Sequence, residues 1–356
     1  MNIQDLKLSK TKAVGVTKKF DLNDITSRKQ YFNAKAGKEI KALQKYLKSK
    51  KRFVAFLMGK KNSGKGTYSK LFMEAVGTNV AHLSIGDIVR DVHKSIETSA
   101  GKKKLLDFLK KNYRGFHSPD ETIKAILGRS QSALITSELI LALIKFEISK
   151  RPTQSLFIDG FPRAFDQIPY SLFLKEIIGY QGVPDMFIFI DVPTNVIDER
   201  IKTRVICPIC KTPRNLKLLA TKEVGYDAKT KKFYLKCDNP SCKGARMVAK
   251  EGDELGIEPI RERLATDDKI SHQLKQAHGI DKVFLRNSIP VKFAKKIVDD
   301  YEITPGYEYR LEKSGAVKTL ELPWTVKDDA GTVSYSLLPP AVVVPMIKQM
   351  ANLLVK

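Results

Sequence analysis

The stretch FVAFLMGKKNSGKGT, residues 53–67, constrains the fold more than any other part of the chain. Six consecutive apolar residues, Phe53–Met58, predict a buried strand of a parallel sheet. A glycine-bearing turn follows, and Tyr68–Val76 then shows the apolar spacing of a helix. This unit predicts a phosphate cradle, because backbone N–H groups and the positive helix end face an anion and Lys65 can reach terminal phosphates. The alternative is an ordinary strand–turn–helix unit with an incidental Gly-Lys pair.

Two further buried strands are predicted at Ser155–Asp159 and Met186–Asp191, and Val80–Ser84 is interpreted as the end of another strand that leads through a turn into a helix. Strands that alternate with helical segments indicate an α/β fold with a parallel sheet. In such sheets ligands bind beyond the carboxyl ends of the strands. We therefore expect Gly86-Asp87, Asp159 and Asp191 to converge with the phosphate cradle on one edge of the sheet.

The segments outside these strands are assigned by period and by capping residues. Residues 1–28 are polar and basic without a sustained period, which predicts a mobile arm. Apolar residues spaced three or four apart predict a helix face. Helices are expected at Gln30–Ser49, Ser137–Lys150, Ile257–His278 and Pro339–Lys356, the last kinked or delayed by Pro345.

The net charge of +24 is concentrated in two segments. Residues 1–52 carry 15 Lys or Arg against 4 Asp or Glu, and residues 205–250 carry 11 against 3. Such charge attracts nucleotides, nucleic acids and other polyanions, although it is also compatible with a chain that has no polyanionic partner. No stretch approaches the roughly 20 apolar residues of a membrane helix, and no apolar segment opens the chain as a signal peptide would. We expect a cytoplasmic protein without membrane contact.

Four cysteines are arranged as Cys207-x2-Cys210 and, after 26 intervening residues, Cys237-x4-Cys242. Four thiolates at such spacing are typical of structural Zn²⁺. The alternative is four reduced, buried cysteines. A structural metal would hold together a small basic module that lacks a sizeable core of its own.

Five motifs are similar in type and order to those of adenylate kinases, the P-loop nucleoside monophosphate kinases, of the kind with a zinc-bearing lid. They are GKKNSGKGT (59–67), LSIGDIVR (83–90), DGFPRAFDQ (159–167), DVPTNVIDERIKTR (191–204) and the four-cysteine segment. The resemblance covers about residues 53–264. It implies a P-loop parallel sheet core flanked by helices, an AMP-binding helical arm and an inserted zinc lid.

The resemblance also divides the chain. It implies a basic N-terminal extension (1–50), a P-loop core (51–204) that includes the AMP-binding arm (about 84–150), a zinc-binding lid (205–250), and a region that completes the core and extends it (251–356). The lid would carry zinc on Cys207, Cys210, Cys237 and Cys242. The roles of residues 1–50, of the insert near 93–123 and of residues 265–356 are not implied by it.

By resemblance, catalysis would depend on positioning and on neutralising phosphate charge. The catalytic group would be Lys65, Asp159, Arg163, Arg204, Arg261 and Arg263. Lys65 would bind the transferring phosphate, and Asp159 would order the water shell of Mg²⁺. Arg204, Arg261 and Arg263 would neutralise transferred phosphate. The residues expected to bind ATP are Gly59, Asn62, Ser63, Gly64, Lys65, Gly66, Thr67 and Arg200, the last stacked on adenine.

The acceptor site would be formed by Ser84, Ile85, Arg90, Gly160, Arg163 and Gln167. Arg90 and Arg163 would clamp the AMP phosphate, as planar guanidinium groups do for phosphate oxygens. Gln167 would form hydrogen bonds to the adenine edge.

Three departures from the family pattern qualify these expectations. Asn62 stands where the family has a glycine, so the turn must tolerate a side chain. Ile85 replaces a hydroxyl residue beside the AMP base, which weakens the case for adenine specificity. The usual arginine–aspartate pair of the lid is not assignable: Arg246 or Lys250 could supply the arginine, and Asp253 the aspartate.

We interpret the chain as an adenylate kinase that catalyses ATP + AMP ⇌ 2 ADP with Mg²⁺, in nucleotide homeostasis, and the family implies a monomer. One alternative is a kinase for another nucleoside monophosphate. An alternative of a different class is a zinc-ribbon P-loop protein that binds nucleic acid. A weak accessory affinity for nucleic acid, alongside catalysis, is also compatible with the basic surface.

Overall fold

A computed structural model describes residues 8–77, 79–127, 136–249 and 253–355. The helices are α1 (Ile25–Lys48), α2 (Lys65–Val76), α3 (Ile85–Ser95), α4 (Ser99–Asn112), α5 (Pro119–Leu127), α6 (Ser137–Ser149), α7 (Ile168–Leu172), α8 (Leu174–Ile177), α9 (Thr194–Lys202), α10 (Arg261–Lys275), α11 (Val291–Ile297) and α12 (Pro339–Leu354). Within these residues, no helix is both long enough and apolar enough to span a bilayer.

The strands belong to one central sheet and four small ones. They are β1 (Val54–Met58), β2 (Val80–Ser84), β3 (Ser155–Asp159), β4 (Asp185–Asp191), β5 (Arg204–Ile206), β6 (Pro213–Asn215), β7 (Val224–Asp227), β8 (Lys232–Leu235), β9 (Val248–Ala249), β10 (Asp281–Arg286), β11 (Ser288–Pro290), β12 (Pro305–Leu311), β13 (Val317–Pro323), β14 (Val326–Lys327) and β15 (Val333–Ser336).

The central sheet has five parallel strands in the order β10-β4-β1-β3-β2. In its register, Asp159 lies opposite both Leu57 and Ser84. The carboxyl ends of β1, β2 and β3 therefore lie side by side. The parallel sheet flanked by helices confirms the predicted α/β fold.

Side chains of β1 alternate between two hydrophobic cores, one on each face of the sheet. Ala55 and Leu57 join the core built with α1, α2 and α12, whereas Val54, Phe56 and Met58 join the core that includes α3, α6 and α10. The period of two along a strand produces this division. All five residues of β1 are buried, as the apolar run predicts.

The N-terminal segment is packed rather than free, so the prediction of a mobile arm is wrong for residues 8–24. Phe20 and Leu22 are buried, and Thr11 Oγ1 donates a hydrogen bond to Glu302 at 2.6 Å. Helix α1 begins five residues earlier than predicted, at Ile25, where the Asp24 carboxylate accepts a bond from Ser27 N at 2.7 Å. Residues 1–7 lie outside the described part of the chain.

A buried polar cluster joins α1 to the C-terminal region. Tyr31 donates to Glu302 at 2.5 Å, and Lys35 Nζ lies 2.5 Å from Asp299 and 3.8 Å from Glu302. The Lys35 and Glu302 side chains are fully buried. Burial, followed by the negative charge of Glu302, raises the pKa of Tyr31 well above its usual value. Since buried charges require partners, Lys35 of α1 and the carboxylates of Asp299 and Glu302 neutralise one another.

The C-terminal region completes the core with a helix that the sequence analysis predicted and a strand that it missed. Strand β10 is the fifth strand of the sheet, and α12 packs against α1, α2 and β10. In β10 only Val283 and Leu285 are buried, so its sequence, DKVFLR, lacks the continuous apolar run of a central strand. Helix α12 begins at Pro339 and contains Pro345 within it, which excludes the later start.

The four-cysteine segment forms a small module with short strands that the sequence analysis did not predict. Its strands β5, β6 and β9 form one sheet, and β7 and β8 form a hairpin. Its core is small and includes Cys207, Cys237 and Cys242. The hairpin β12–β13 packs against this module: Tyr309 donates to Leu216 O at 2.5 Å, and its ring centroid lies 5.6 Å from that of Phe233. The domain boundaries implied by the resemblance stay predictions.

Candidate active site

The loop between β1 and α2 has a geometry that only certain residues allow. Gly64, at φ +94°, precedes the first residue of α2, and Asn62 has φ +65°. Asparagine adopts this left-handed region more readily than most residues, which explains how the loop tolerates a side chain there. A Cβ on Gly59 would lie 2.7 Å from the Ile190 carbonyl oxygen, so the loop can approach β4 only with glycine at this position.

The Lys65 side chain folds back onto the start of the loop between β1 and α2. Its Nζ donates to the carbonyl oxygens of Gly59 and Lys60 at 2.8 and 3.0 Å, and lies 3.9 Å from Asp159. Burial lowers the pKa of Lys65, because desolvation disfavours the ammonium ion. The Ser63 hydroxyl is buried and finds no hydrogen-bond partner among the described residues. The loop thus presents polar groups suited to an anion.

A concavity of 330 Å³ runs along the loop and the start of α2. It is lined by Asn62, Ser63, Gly64, Lys65, Gly66, Thr67, Lys70 and Asp159. Apart from Lys70, these residues are all ones that the sequence assigned to the ATP site or, for Asp159, to the catalytic group.

Arg163 packs directly on the turn that follows β3. A Cβ on Gly160, which has φ +84°, would lie 2.5 Å from Arg163 Nη2, so glycine is needed for the guanidinium to lie there. Arg163 Nε is buried and finds no acceptor within the described chain. Burial and then repulsion from Arg263 lower the pKa of Arg163. A guanidinium with a buried, unused N–H donor is a site for an anion.

Arg90 approaches the same place from α3. A Cβ on Gly86 would lie 3.5 Å from Arg90 Nη1 and 3.8 Å from Arg163 Nη2, so both guanidinium groups lie close to the Gly86 backbone. Arg90 also pairs with Asp87 on its own helix. The geometry brings these two arginines together as the sequence predicts.

A cavity of 610 Å³ contains most of the predicted catalytic group. Among the residues that line it are Gly59, Asn62, Lys65, Arg90, Asp159, Gly160, Arg163, Arg263 and Asp267. Asp191 does not join them, because it lines a separate small cavity with Lys60. The prediction of one shared sheet edge nevertheless holds for Asp191, because it ends β4 beside β1 and its small cavity also contains Gly59 and Lys60 of the cradle.

The remaining predicted acceptor residues lie outside this cavity lining. The Gln167 side-chain oxygen accepts a bond from Arg163 N at 2.7 Å, and its nitrogen donates to Ser137 Oγ at 3.1 Å. Ser84 caps α3, and Ile85 is buried. In this structure Gln167 holds the turn that carries Arg163.

A second cavity, of 310 Å³, adjoins the other side of the loop. Asn62 lines both cavities, and Arg200 and Arg204 line the second. Arg200 Nη2 donates to Asn287 Oδ1 at 3.3 Å. The other walls combine residues of the cysteine module with residues far along the chain: Asn215, Leu218, Leu219, Thr304, Leu338 and Pro339.

Arg204 forms a two-bond pair with Asp253. Its Nε and Nη2 donate to the two carboxylate oxygens at 2.6 and 2.7 Å. Arg246, which the sequence offered as the partner of Asp253, instead bonds Asp227 at 2.9 Å and lies over the Tyr234 ring. Lys250, the other candidate, lies outside the described residues.

Arg261 is not brought into either cavity. Its side chain is 65% exposed and pairs with Glu258 on the surface. Arg263, two residues later, faces the 610 Å³ cavity and bonds Asp267. Of the two neighbouring arginines, only Arg263 lies with Lys65 and Arg163 in this structure.

The four cysteine sulfurs lie within 4.8 Å of one another, and Cys210 Sγ and Cys237 Sγ are 3.6 Å apart. A tetrahedral ion with zinc–sulfur bonds of about 2.3 Å separates its sulfurs by similar distances. The hydrogen bond between Cys210 and Thr212 lowers the pKa of the Cys210 thiol to about 6, whereas burial raises the pKa of Cys242 to about 12, so a bound metal would be needed to hold all four cysteines as thiolates. The donor set fits a structural Zn²⁺.

Several residues of the two cavities were missed by the sequence analysis. Asp267 lies four residues after Arg263 on a predicted helix, so its pairing with Arg263 could have been inferred from helical spacing. Thr304, Leu338 and Pro339 carry no such signal, since only tertiary folding brings them to the P-loop.

Curated relatives of the chain are adenylate kinases. That of Thermotoga petrophila is 32% identical over 173 residues, which are 48% of this chain and 66% of the relative. That of Syntrophomonas wolfei is 30% identical over 200 residues, covering 55% of this chain and 74% of the relative. That of Kosmotoga olearia is 31% identical over 162 residues, covering 45% and 63%. The chain thus covers just under two thirds of the Thermotoga relative. No protein-family model matches the chain.

Proposed function

The chain belongs to the adenylate kinase family, and we propose that it is a phosphotransferase that catalyses ATP + AMP ⇌ 2 ADP with Mg²⁺. The observation that carries this proposal is that Lys65 of the P-loop and Arg163 of the turn after β3 line one cavity. The first group suits the phosphates of a donor and the second suits the phosphate of an acceptor.

The two cavities would divide the substrates between them. ATP would place its phosphates along residues 59–67 and its base in the 310 Å³ cavity beside Arg200. AMP would place its phosphate against Arg90 and Arg163. Asn62 lies at the boundary, which supports transfer between ligands bound on either side of the loop.

Catalysis would consist of alignment and charge neutralisation. Lys65, Arg163 and Arg263 line the cavity in which the phosphoryl group would be transferred, and Arg204 lies next to the P-loop. Phosphate oxygens act as the nucleophile, so the reaction needs no side chain as a general base. The cysteine module would close over ATP as a rigid unit and exclude water that would otherwise hydrolyse it.

Two metals fit the residues of the chain. Asp159, a carboxylate beside Lys65 at the cavity, would order the water shell of Mg²⁺, and Mg²⁺ would neutralise charge on the ATP phosphates. Cys207, Cys210, Cys237 and Cys242 would hold Zn²⁺ in the lid, where it would serve folding rather than chemistry.

The acceptor base is the least defined part of the proposal. The Gln167 amide already bonds Arg163 N and Ser137 Oγ and is 5% exposed, and Ile85 offers no hydrogen bond to a base. These contacts favour a second candidate function, a kinase that accepts another nucleoside monophosphate. Turnover compared across AMP, GMP, CMP and UMP separates the two, and a preference other than AMP excludes the first.

A coupled assay of ADP formation with ATP, Mg²⁺ and each monophosphate tests the proposal. We expect AMP-dependent turnover that Lys65→Ala and Arg163→Ala each reduce by at least about 100-fold, because each removes charge stabilisation from the transition state. Arg114→Ala, at an exposed arginine outside both cavities, is the matched control and should retain wild-type turnover.

An absence of turnover with every monophosphate, in protein that binds ATP and zinc, would exclude a kinase. Salt-dependent binding of RNA or DNA by that protein would then support the nucleic-acid-binding alternative, which the basic surface of residues 205–250 suggests.

A further inference from the structure

Helix α10 presents a polar face to the 610 Å³ cavity. Arg263, Asp267 and Ser271 recur every four residues and all line the cavity together with Lys65 and Arg163. Among groups suited to phosphate, the Asp267 carboxylate is unexpected, because it repels the anions that the cavity would receive. Its presence therefore calls for a role in the arrangement of the cations.

Asp267 bridges two elements of the site. One carboxylate oxygen accepts a bond from the backbone N–H of Lys61, in the P-loop, at 3.0 Å. The other accepts from Arg263 Nε at 2.9 Å. The Asp267 side chain is 10% exposed, and its bond to Arg263 is partly buried, whereas its bond to the Lys61 backbone lies at the surface. A single carboxylate thus connects the phosphate loop to the arginine of the helix that follows the lid.

The bond to Asp267 leaves the two terminal nitrogens of Arg263, Nη1 and Nη2, available to a ligand. Only Nε of Arg263 donates to a residue in the described part of the chain, and Nη1 and Nη2 have no acceptor there. These two nitrogens form the fork that binds phosphate oxygens in pairs. Holding Nε fixes the plane of the guanidinium without using the donors that a ligand needs.

The charges around the cavity explain why a carboxylate is tolerated. Lys65 and Arg163 are partly buried and repel one another, and Arg263 repels both. Asp159 and Asp267 are the negative charges that offset them. Removal of the charge on Asp267 would leave a stronger positive field in the cavity.

We propose that Asp267 is a positioning residue that holds Arg263 against the P-loop, so that its guanidinium is aligned for the transferred phosphoryl group. The same negative charge weakens the binding of anions in the ground state. This inference rests on the proposed kinase function. A contact that aligns a transition-state group while opposing ground-state binding favours kcat over affinity.

The test is Asp267→Asn, which keeps the shape but removes the charge and one acceptor. We expect kcat to fall by about 10- to 100-fold, because misplacement of a catalytic group by about 1 Å has effects of this size. The KM for ATP should be unchanged or lower. Loss of folded protein would instead lower apparent kcat at constant KM, and thermal melting detects it.

Glu262→Gln is the matched control, since it makes the same change of charge on an exposed residue of the same helix. It should leave kcat and KM at wild-type values. In an Arg263→Ala background, Asp267→Asn should lower kcat by less than twofold further, because the residue acts through Arg263. Asp267→Glu retains the charge and should recover part of the lost kcat.

Binding of inorganic triphosphate, measured by calorimetry, provides a readout that is independent of turnover. Asp267→Asn should bind it about fivefold more tightly, since about 1 kcal/mol of repulsion is removed. If the wild type is active and Asp267→Asn keeps its kcat, the inference is overturned while the proposed function stands. If the wild type turns over no monophosphate, the proposed function fails, and an unchanged affinity for triphosphate overturns the inference separately.

Discussion

Arg204 and Asp253 face each other through two parallel hydrogen bonds, of 2.6 and 2.7 Å, where the cysteine module joins the core. Arg204 also lines the cavity proposed for the base of ATP. A guanidinium paired in this way is oriented but not free, because a phosphate must compete with the carboxylate for it. The pair therefore predicts opposite effects for its two members.

Asp253→Asn should lower the KM for ATP by about two- to fivefold, because it removes about 1 kcal/mol of competition for Arg204. Arg204→Ala should raise the same KM. Steady-state kinetics at saturating AMP measures both. A shift of KM in the same direction in the two variants would show that the pair serves only to hold the module in place.

Removal of zinc should unfold the cysteine module and leave the central sheet intact, because the module has only a small core of its own. We expect one Zn²⁺ per chain, and four titratable thiols after chelation, since the chain has four cysteines in all. Cys237→Ser should lose the metal, whereas Ser241→Ala, beside Cys242, should keep it. Metal analysis and circular dichroism test this, and a metal-free chain with a folded module would refute it.

The free energy of unfolding should decrease below about pH 6.5, because His82 is buried in its neutral form. Its Nδ1 lies 2.9 Å from Ser69 Oγ, and its Nε2 lies 4.0 Å from Asp159. Burial lowers the pKa of His82 below its usual value despite the nearby carboxylate. The neutral form is thus favoured by folding, so its contribution is complete above about pH 6.5 and is lost as the pH falls towards the lowered pKa, at no more than about 1.4 kcal/mol per pH unit.

Urea unfolding between pH 7 and pH 5 measures this loss. His82→Asn should unfold with a shallower dependence on pH than the wild type. His278→Asn, at an exposed histidine, should behave as the wild type. Parallel pH profiles for all three proteins would assign the acid sensitivity to other groups.

Tyr309→Phe should loosen the contact between hairpin β12–β13 and the cysteine module. It removes the 2.5 Å bond to Leu216 O, at a cost of about 1 kcal/mol, while keeping the ring against Phe233. Since Leu218 and Leu219 of the module line the proposed ATP cavity, the KM for ATP should rise by about fivefold with kcat unchanged. Tyr226→Phe, in the same ring cluster, is the control.

The P-loop could be predicted because its signal is local. An apolar run, a glycine turn and a helix all lie within residues 53–76. The sequence also predicted that the turn must tolerate the side chain of Asn62, and Asn62 does so with a positive φ. Strand β10 could not be predicted, because at the sheet edge only two of its residues are buried and no apolar run results. Its assignment depends on pairing with β4.

The candidate site was predictable to the extent that its residues lie in motifs. Lys65, Asp159 and Arg163 occupy motif positions and do share a cavity. The difference between Arg261 and Arg263 depends instead on which side of α10 faces the P-loop. The roles of Asp253 and Thr304 depend on contacts across long stretches of chain, which no local pattern contains.

The buried cluster of Tyr31, Lys35, Asp299 and Glu302 has a consequence for the order in which the protein can fold as it is synthesised. The carboxylates that neutralise Lys35, and the helix α12 that covers α1, are synthesised roughly 260 residues or more after α1. Until then the apolar face of α1 lacks its packing partner α12. A chaperone that binds nascent chains would have its longest opportunity at α1.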